Sequence, residues 1–196
     1  MTGAIIRLDM TMSLDGFVAG PRDDADAPMG VGGFRLFNWL DLRDEPGPNR
    51  EVYRQHLATR AVIAGRRTYE LADHWGGDHH DGVPIFILTH DVPAEPPPGS
   101  VRFVTDVGDC AAQARAAAGD AAVMVHGAGA GQALLRAGEL DELELHVVPV
   151  LLGQGRRLFD ELPAETVELE LVRVLTTPDT VDAARQVMHL RYRVHR

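Results

Sequence analysis

The sequence contains no lysine, a single cysteine (Cys110) and no long apolar run. Without lysine, the protein has no side chain for Schiff-base chemistry and none for the lysine position of a P-loop. One cysteine excludes an internal disulfide and a cluster of thiolate metal ligands. Because no segment resembles a signal peptide or is long enough to cross a bilayer, we expect a cytoplasmic protein.

The charge of the chain limits its partners. Among 196 residues, 29 are acidic and 19 are basic, which gives a formal net charge of −10. An acidic surface repels polyanions, so we expect neither nucleic acid nor an anionic membrane as a partner. A small anionic ligand remains compatible, because arginines and helix ends can dominate a pocket. The length and the 45% of hydrophobic residues predict a single domain over residues 1–196.

Strand and helix patterns alternate over most of the chain. Short strands are predicted at Ala4–Met12, Ala61–Ala64, Val83–Leu88, Val101–Val104 and Ala121–His126. Helices are predicted at Phe34–Leu42, at Arg50–Ala58 with Asn49 as its cap, and at Asp106–Ala118 capped by Asp106. Two long strands, Val167–Leu175 and Val187–Val194, end the chain. The pattern predicts an α/β fold: a mixed, mainly parallel central sheet flanked by helices, with an antiparallel C-terminal hairpin.

A glycine-rich turn follows the strand at Ala121–His126. Gly127, Gly129 and Gly131 allow the backbone to bend tightly and to approach a ligand closely. The helix that follows offers free N–H groups and a positive dipole end, which favour a phosphate. The Rossmann fingerprint does not fit, because Gln132 occupies its last glycine position. The segment alone fits a phosphate site and a plain strand-to-helix turn equally well.

Three other segments also follow predicted strands and fall at the same edge of a parallel sheet. They are Ser13–Ala19, Gly65–Thr68 and Thr89–His90. Each alone also fits an ordinary turn or a solvated helix start. Together with the glycine turn, they indicate one extended anionic ligand such as a dinucleotide, because ligands gather at the carboxyl ends of parallel strands.

These segments resemble those of the dihydrofolate reductase-like family, especially the reductase domain of the bifunctional riboflavin-biosynthesis enzyme. The resemblance extends through Leu140–Leu143 to Pro149–Gly155 and spans nearly the whole chain in the family's order. It implies the family's fold and an NADPH cofactor. One difference is Ala128, where relatives commonly have glycine; its methyl group requires a negative φ.

The resemblance also implies positions for the cofactor and the substrate. The cofactor-binding residues are Gly65, Arg66 and Thr68 for the adenine-side phosphates, Thr89 and His90 near the 2′-phosphate, and Gly127, Ala128, Gly129, Ala130 and Gly131 around the pyrophosphate. The nicotinamide and substrate pocket is expected to include Met10, Ser13, Gly16, Phe17 and Trp39. Asp15 is the candidate catalytic residue, which would orient the substrate or relay a proton; an ordinary turn residue is the alternative.

The predicted reaction is hydride transfer from NADPH to a small heterocycle, such as a pterin or a pyrimidine, or to a carbonyl compound. A zinc deaminase domain is excluded because it needs several cysteines. Two other functions remain open: a non-catalytic NADP(H)-binding or sensing protein, and a flavin-binding protein. A homodimer is also compatible with the apolar C-terminal strands.

The segment Asp73–Asp81 is rich in histidine and aspartate and raises the possibility of a metal site. Its spacing does not suit two ligands on one helix face, because His74 and His79 are separated by two glycines. We therefore predict a polar loop near the cofactor and no metal site.

Overall fold

The computed structural model describes residues 3–95, 100–160, 162, 166–177 and 182–195. Its strands are β1 (Ile6–Ser13), β2 (Phe17–Ala19), β3 (Ala61–Gly65), β4 (Ile85–Leu88), β5 (Val101–Val104), β6 (Val123–His126), β7 (Glu142–Val148), β8 (Arg156–Arg157), β9 (Leu169–Thr176) and β10 (Met188–Val194). Its α-helices are α1 (Pro48–Leu57), α2 (Arg66–Leu71), α3 (Val107–Ala118) and α4 (Ala128–Arg136), with 3₁₀ helices at Gly33–Leu42, Asp73–Gly77 and Ala183–Arg185. Within these ranges, no helix combines the length and the apolar character that a membrane span needs.

Eight strands form one sheet in the order β5-β4-β3-β6-β1-β7-β10-β9. Every adjacent pair from β5 to β7 is parallel, whereas β10 is antiparallel to β7 and β9 is antiparallel to β10. Strands β2 and β8 pair separately and antiparallel. The predicted α/β class is confirmed, with its mainly parallel sheet and its C-terminal hairpin.

Helices α3 and α4 cover an apolar face of the sheet. Leu8 of β1 and Val125 of β6 point to this face and belong to one buried cluster with Ala114 and Leu134. The start of α3 is as predicted, because the carboxylate of Asp106 accepts the N–H of Asp109 at 2.8 Å. This face therefore holds the largest part of the core and fixes α4 beside β1 and β6.

The opposite face is covered in part by α1, and the prediction for the start of this helix was wrong. Gly47 is its N-cap and Pro48 its first residue, because the fixed φ of proline suits that position. Asn49 is not a cap but is buried, and its Nδ2 donates to the carbonyl of Trp39 at 3.0 Å. Asn49 thus joins α1 to the interior of the protein.

Candidate functional site

The predicted ligand-binding segments lie at one edge of the sheet. Strands β4, β3, β6 and β1 are adjacent and parallel, so their carboxyl ends share that edge. Gly65 ends β3 and Ser13 ends β1, while Thr89 follows β4 and Gly127 follows β6. The structure thus brings all four segments to the edge at which open α/β sheets bind ligands.

The turns that follow β3 and β6 contact each other. Gly127 has a φ of 93°, and a Cβ atom at this position would lie 2.2 Å from Oγ1 of Thr68. A Cβ atom at Gly65 would lie 3.7 Å from the backbone nitrogen of Ala130. Glycine at 127 is required both by the positive φ and by the close approach of Thr68. The starts of α2 and α4 are therefore neighbours.

The segment from Gly127 to Gly131 is mostly helical rather than a loop. Its first helical hydrogen bond runs from the N–H of Gly131 to the carbonyl of Gly127, at 3.1 Å. The N–H groups of Ala128, Gly129 and Ala130 come before this bond, so they have no acceptor within the helix. They form the positive end of the helix dipole. Ala128 is helical and has no positive φ, which satisfies the condition that its methyl group imposes.

Two glycines of this segment have different surroundings. Gly129 is exposed, and a Cβ atom there would meet no atom within 4 Å. A Cβ atom at Gly131 would lie 2.7 Å from Cδ1 of Leu8, which is buried. Gly131 is thus explained by the packing of α4 on β1, whereas Gly129 leaves open space at the N-terminus of the helix.

Arg66 and Thr89 meet at the backbone of Asp91. Nη1 of Arg66 donates to the carbonyl of Asp91 at 3.2 Å, and Oγ1 of Thr89 donates to the same oxygen at 2.9 Å. Nε of Arg66 donates to Glu70 at 2.8 Å within α2, and His90 is exposed. The structure therefore gathers Arg66, Thr89 and His90 in one region, with two acidic residues beside the guanidinium group.

The carboxylate of Asp15 holds two loops together. It accepts the hydroxyl of Ser13 at 2.5 Å and the N–H groups of Leu152 and Gly153 at 3.1 and 2.7 Å. The hydrogen bond from Ser13 has the largest effect and lowers the pKa of Asp15. Burial raises that pKa, and the N–H groups of Gly153 and Leu152 lower it further, so the net shift is downward. A carboxylate with these partners is well suited to fixing the turn.

Gly16 and Phe17 continue that turn. Gly16 has a φ of 85°, which favours glycine, and its side-chain position is open. The N–H of Phe17 donates to Oγ of Ser13 at 2.9 Å, while the Arg157 guanidinium lies 4.7 Å from the centre of the Phe17 ring. The aromatic ring is buried, and its described contacts are with other parts of the protein.

Met10 and Trp39 lie on opposite faces of β1. Sδ of Met10 accepts the N–H of Gly127 at 3.2 Å on the side of α4. Nε1 of Trp39 donates to Oγ1 of Thr11 at 3.3 Å, and Trp39 is only 2% exposed. Because successive strand residues point to opposite faces, the structure does not place Met10 and Trp39 on one surface.

A buried polar face of the sheet was missed by the sequence analysis. It is formed by alternate residues of three adjacent strands: Arg7, Asp9 and Thr11 of β1, Glu142, Glu144 and His146 of β7, and His189 and Arg191 of β10. The alternation of polar and apolar residues in these strands was the available signal. It identified strands, but it did not reveal that α1 covers much of the polar side.

Asp9 lies at the centre of this face between two histidines. Its Oδ2 is 2.7 Å from Nε2 of His56 in α1, and its Oδ1 is 3.1 Å from Nε2 of His146. Burial raises the pKa of Asp9, but the charges of His56 and His146 outweigh this and hold that pKa well below its ordinary value. Burial likewise lowers the pKa of His56, yet Asp9 raises it above its ordinary value overall.

The histidine-rich segment lies next to this cluster. Asp73, His74 and Trp75 have φ values of 48°, 55° and 50°, a left-handed turn that costs energy for residues other than glycine. The ring of His79 stacks on His126, with 4.9 Å between centroids, and Nδ1 of His126 lies 3.2 Å from the carbonyl oxygen of Asp9. The segment thus closes over the end of β6, as a polar loop.

Part of the chain matches a known family by sequence. The family model of the RibD C-terminal domain matches residues 110–182, which is less than half of the chain. No curated protein matches by sequence.

Three solved structures share the whole architecture. A candidate riboflavin-biosynthesis protein from Shewanella sp. PV-4 is 21% identical, with a TM-score of 0.71 over 98% of this chain and 99% of that one. Dihydrofolate reductase from Enterococcus faecalis, in complex with NADP(H), is 16% identical, with a TM-score of 0.63 over 98% and 97%. A diaminohydroxyphosphoribosylaminopyrimidine deaminase and 5-amino-6-(5-phosphoribosylamino)uracil reductase from Thermotoga maritima is 15% identical, with a TM-score of 0.62 over 97% of this chain and 56% of that one. The chain thus has the dihydrofolate reductase-like fold, and the resemblance to the reductase domains of riboflavin biosynthesis is confirmed.

Proposed function

We propose that the protein is an NADPH-dependent reductase of a small heterocyclic or carbonyl substrate. The observation that carries this proposal is the open helix start at Gly129, flanked by the contact between Thr68 and Gly127. Positive charge from a helix N-terminus and close access to its backbone suit a pyrophosphate. The resemblance to NADP(H)-dependent reductases supports the choice of dinucleotide.

In this proposal, different residues at the sheet edge bind different parts of the cofactor. Segment 127–131 holds the pyrophosphate through backbone N–H groups, and Thr68 lines the same site. Arg66, Thr89 and His90 bind the 2′-phosphate. Arg66 must then exchange its contact with Glu70 for the phosphate, and an exposed helical ion pair of this kind contributes little to stability.

NADPH supplies the hydride, and the protein binds and orients both reactants. We assign Asp15 to positioning, because its carboxylate oxygens accept the hydroxyl of Ser13 and two backbone N–H groups of the facing loop. In this role Asp15 keeps the turn after β1 in place beside the nicotinamide. The same turn, from Ser13 to Phe17, borders the substrate.

Cofactor titration tests the 2′-phosphate assignment. We expect the protein to bind NADPH at least about tenfold more tightly than NADH, a difference of about 1.4 kcal/mol. Arg66→Gln should remove most of this preference, since the guanidinium is a direct phosphate ligand in the proposal. Arg54→Gln, at an exposed arginine of α1, is the matched control and should leave the preference unchanged. Fluorescence titration of the parent protein and both variants with each cofactor measures all six affinities.

Other outcomes of the same experiment would favour another function. Equal affinities for NADPH and NADH would remove the 2′-phosphate site from the proposal. A yellow purified protein would favour the flavin-binding alternative. Tight NADPH binding without turnover of pterins, pyrimidines or quinones would favour a sensor.

We also propose that the chain forms a homodimer through β9. This strand is at the edge of the sheet and exposes Leu169, Leu171, Val172 and Val174, each by more than 40%. Exposed apolar edge strands pair readily with another chain. Leu171→Arg should therefore convert a dimer into a monomer in light scattering, whereas Leu151→Arg, at an exposed leucine elsewhere, should not. A monomeric parent protein would contradict the proposal.

A further inference from the structure

We propose that Asp9, His56 and His146 bind a divalent transition-metal ion of the zinc type. Their donor atoms all lie within 4.8 Å of one another, and among the residues that the structure describes they form the group of three with this arrangement. Two imidazoles and one carboxylate are a common ligand set for zinc and for other first-row metals. The site is separate from the proposed cofactor contacts, and the inference does not depend on the reductase proposal.

The donor atoms need little movement to share one ion. Oδ1 of Asp9 is 3.1 Å from Nε2 of His146, and Oδ2 is 2.7 Å from Nε2 of His56. Two donors on one zinc ion lie about 3 to 3.5 Å apart, since each bond is about 2.0–2.2 Å long. A small approach of the two imidazoles toward each other completes a three-ligand set.

A chain of hydrogen bonds fixes which nitrogen of His146 faces Asp9. Nδ2 of Asn49 donates to a backbone carbonyl, so its Oδ1 is the acceptor for Nε2–H of His189, at 3.0 Å. Nδ1 of His189 then accepts Nδ1–H of His146 at 2.8 Å. His146 therefore presents Nε2 to Asp9, while its other nitrogen is held by a buried partner, as in most metal-binding histidines.

His56 points at the same carboxylate. Its Nε2 is buried and lies 2.7 Å from Oδ2 of Asp9. The two imidazole rings of His56 and His146 are neighbours, with their centroids 5.6 Å apart. One metal ion can satisfy both Nε2 atoms and the carboxylate while each imidazole stays neutral.

The neighbouring charges leave Asp9 to the two histidines. Glu144, on the adjacent strand, pairs with Arg173 and Arg191, and Arg7 pairs with Glu142. The side chain of His56 is 16% exposed, against 7% for Asp9 and 1% for His146. An ion would therefore enter from the side of His56, where its remaining coordination positions can take water.

Direct metal binding tests this inference. Chelator-treated protein is titrated with Zn²⁺ in a calorimeter and with Co²⁺ by visible absorption, which reports coordination geometry. We expect one ion per chain with micromolar or tighter affinity, and an increase in Tm when Zn²⁺ is added. His56→Gln should weaken binding at least about 100-fold, because it removes one of three protein ligands. His56 is the least buried of the three ligands, so we expect its substitution to disturb folding less than substitution of Asp9 or His146.

The histidine-rich loop provides the matched control. His79→Gln and His80→Gln remove histidines that lie close by but outside the proposed ligand set, so both should keep the affinity of the parent protein. Asp9→Asn, if folded by circular dichroism, should lose binding like His56→Gln. The proposal is overturned if the parent protein binds no ion. It is equally overturned if binding survives His56→Gln and is lost in the loop variants.

Discussion

Gly129→Val should lower the affinity for NADPH at least about 100-fold, or about 2.8 kcal/mol, while changing the free energy of unfolding by less than about 1 kcal/mol. The two effects separate because of where the side chain would point. A Cβ atom at Gly129 meets no atom of the protein within 4 Å, so the valine fits. Its methyl groups would occupy the space in front of the first N–H groups of α4, where the proposal places the pyrophosphate.

Two further glycine variants make this result specific. Gly129→Ala adds one methyl group and should give a smaller loss of affinity. Gly131→Ala should instead destabilise the protein by about 1–3 kcal/mol, because its Cβ would press on the buried side chain of Leu8. Affinities come from fluorescence titration and stabilities from urea unfolding. An unchanged NADPH affinity in Gly129→Val would show that this helix start does not bind the pyrophosphate.

The positions of most strands of the parallel part of the sheet, and the edge at which the turns after them gather, could be predicted because each strand has a local pattern. Short apolar strands ended by glycine or a small polar residue predict β3, β6 and the turns that follow them, and the parallel arrangement then places the turns together. The cap of α3 by Asp106 is equally local. These features depend on residues close in sequence, so each of them can be predicted from its own segment.

The surroundings of single glycines could not be predicted in this way. Gly129 and Gly131 are two residues apart and look equivalent in the sequence. In the structure, Gly131 packs against β1, more than 100 residues earlier, whereas Gly129 faces open space. The wrong cap at Asn49 has the same origin, because its side chain is used by His189 and by the backbone of Trp39.

The polar face beneath α1 was missed because its meaning is non-local. Alternating polar residues in a strand usually face solvent, and that alternation is present in β1, β7 and β10. Only the docking of α1 turns this side into an interior, where Asp9 contacts residues 47 and 137 positions away. No spacing rule within one segment connects Asp9, His56 and His146.

Glu144→Leu should destabilise the protein by about 3–5 kcal/mol, because it leaves two largely buried guanidinium groups without the carboxylate that they share. Glu144 is only 1% exposed; its Oε1 lies 2.9 Å from Nη2 of Arg173, and its Oε2 contacts Nε of Arg191. The two guanidinium groups are themselves 18% and 15% exposed, so water screens them poorly. Urea unfolding at neutral pH, followed by circular dichroism, measures the loss.

A surface pair on the same hairpin is the matched control for this loss. Arg193 and Glu170 are 2.7 Å apart but about half exposed, so Glu170→Leu should cost no more than about 1 kcal/mol. Adding Arg173→Leu and Arg191→Leu to Glu144→Leu should recover much of the stability, because a buried ionic group is costly mainly when it is incomplete. If Glu144→Leu costs no more than Glu170→Leu, the polar face does not depend on Glu144 for its charge balance.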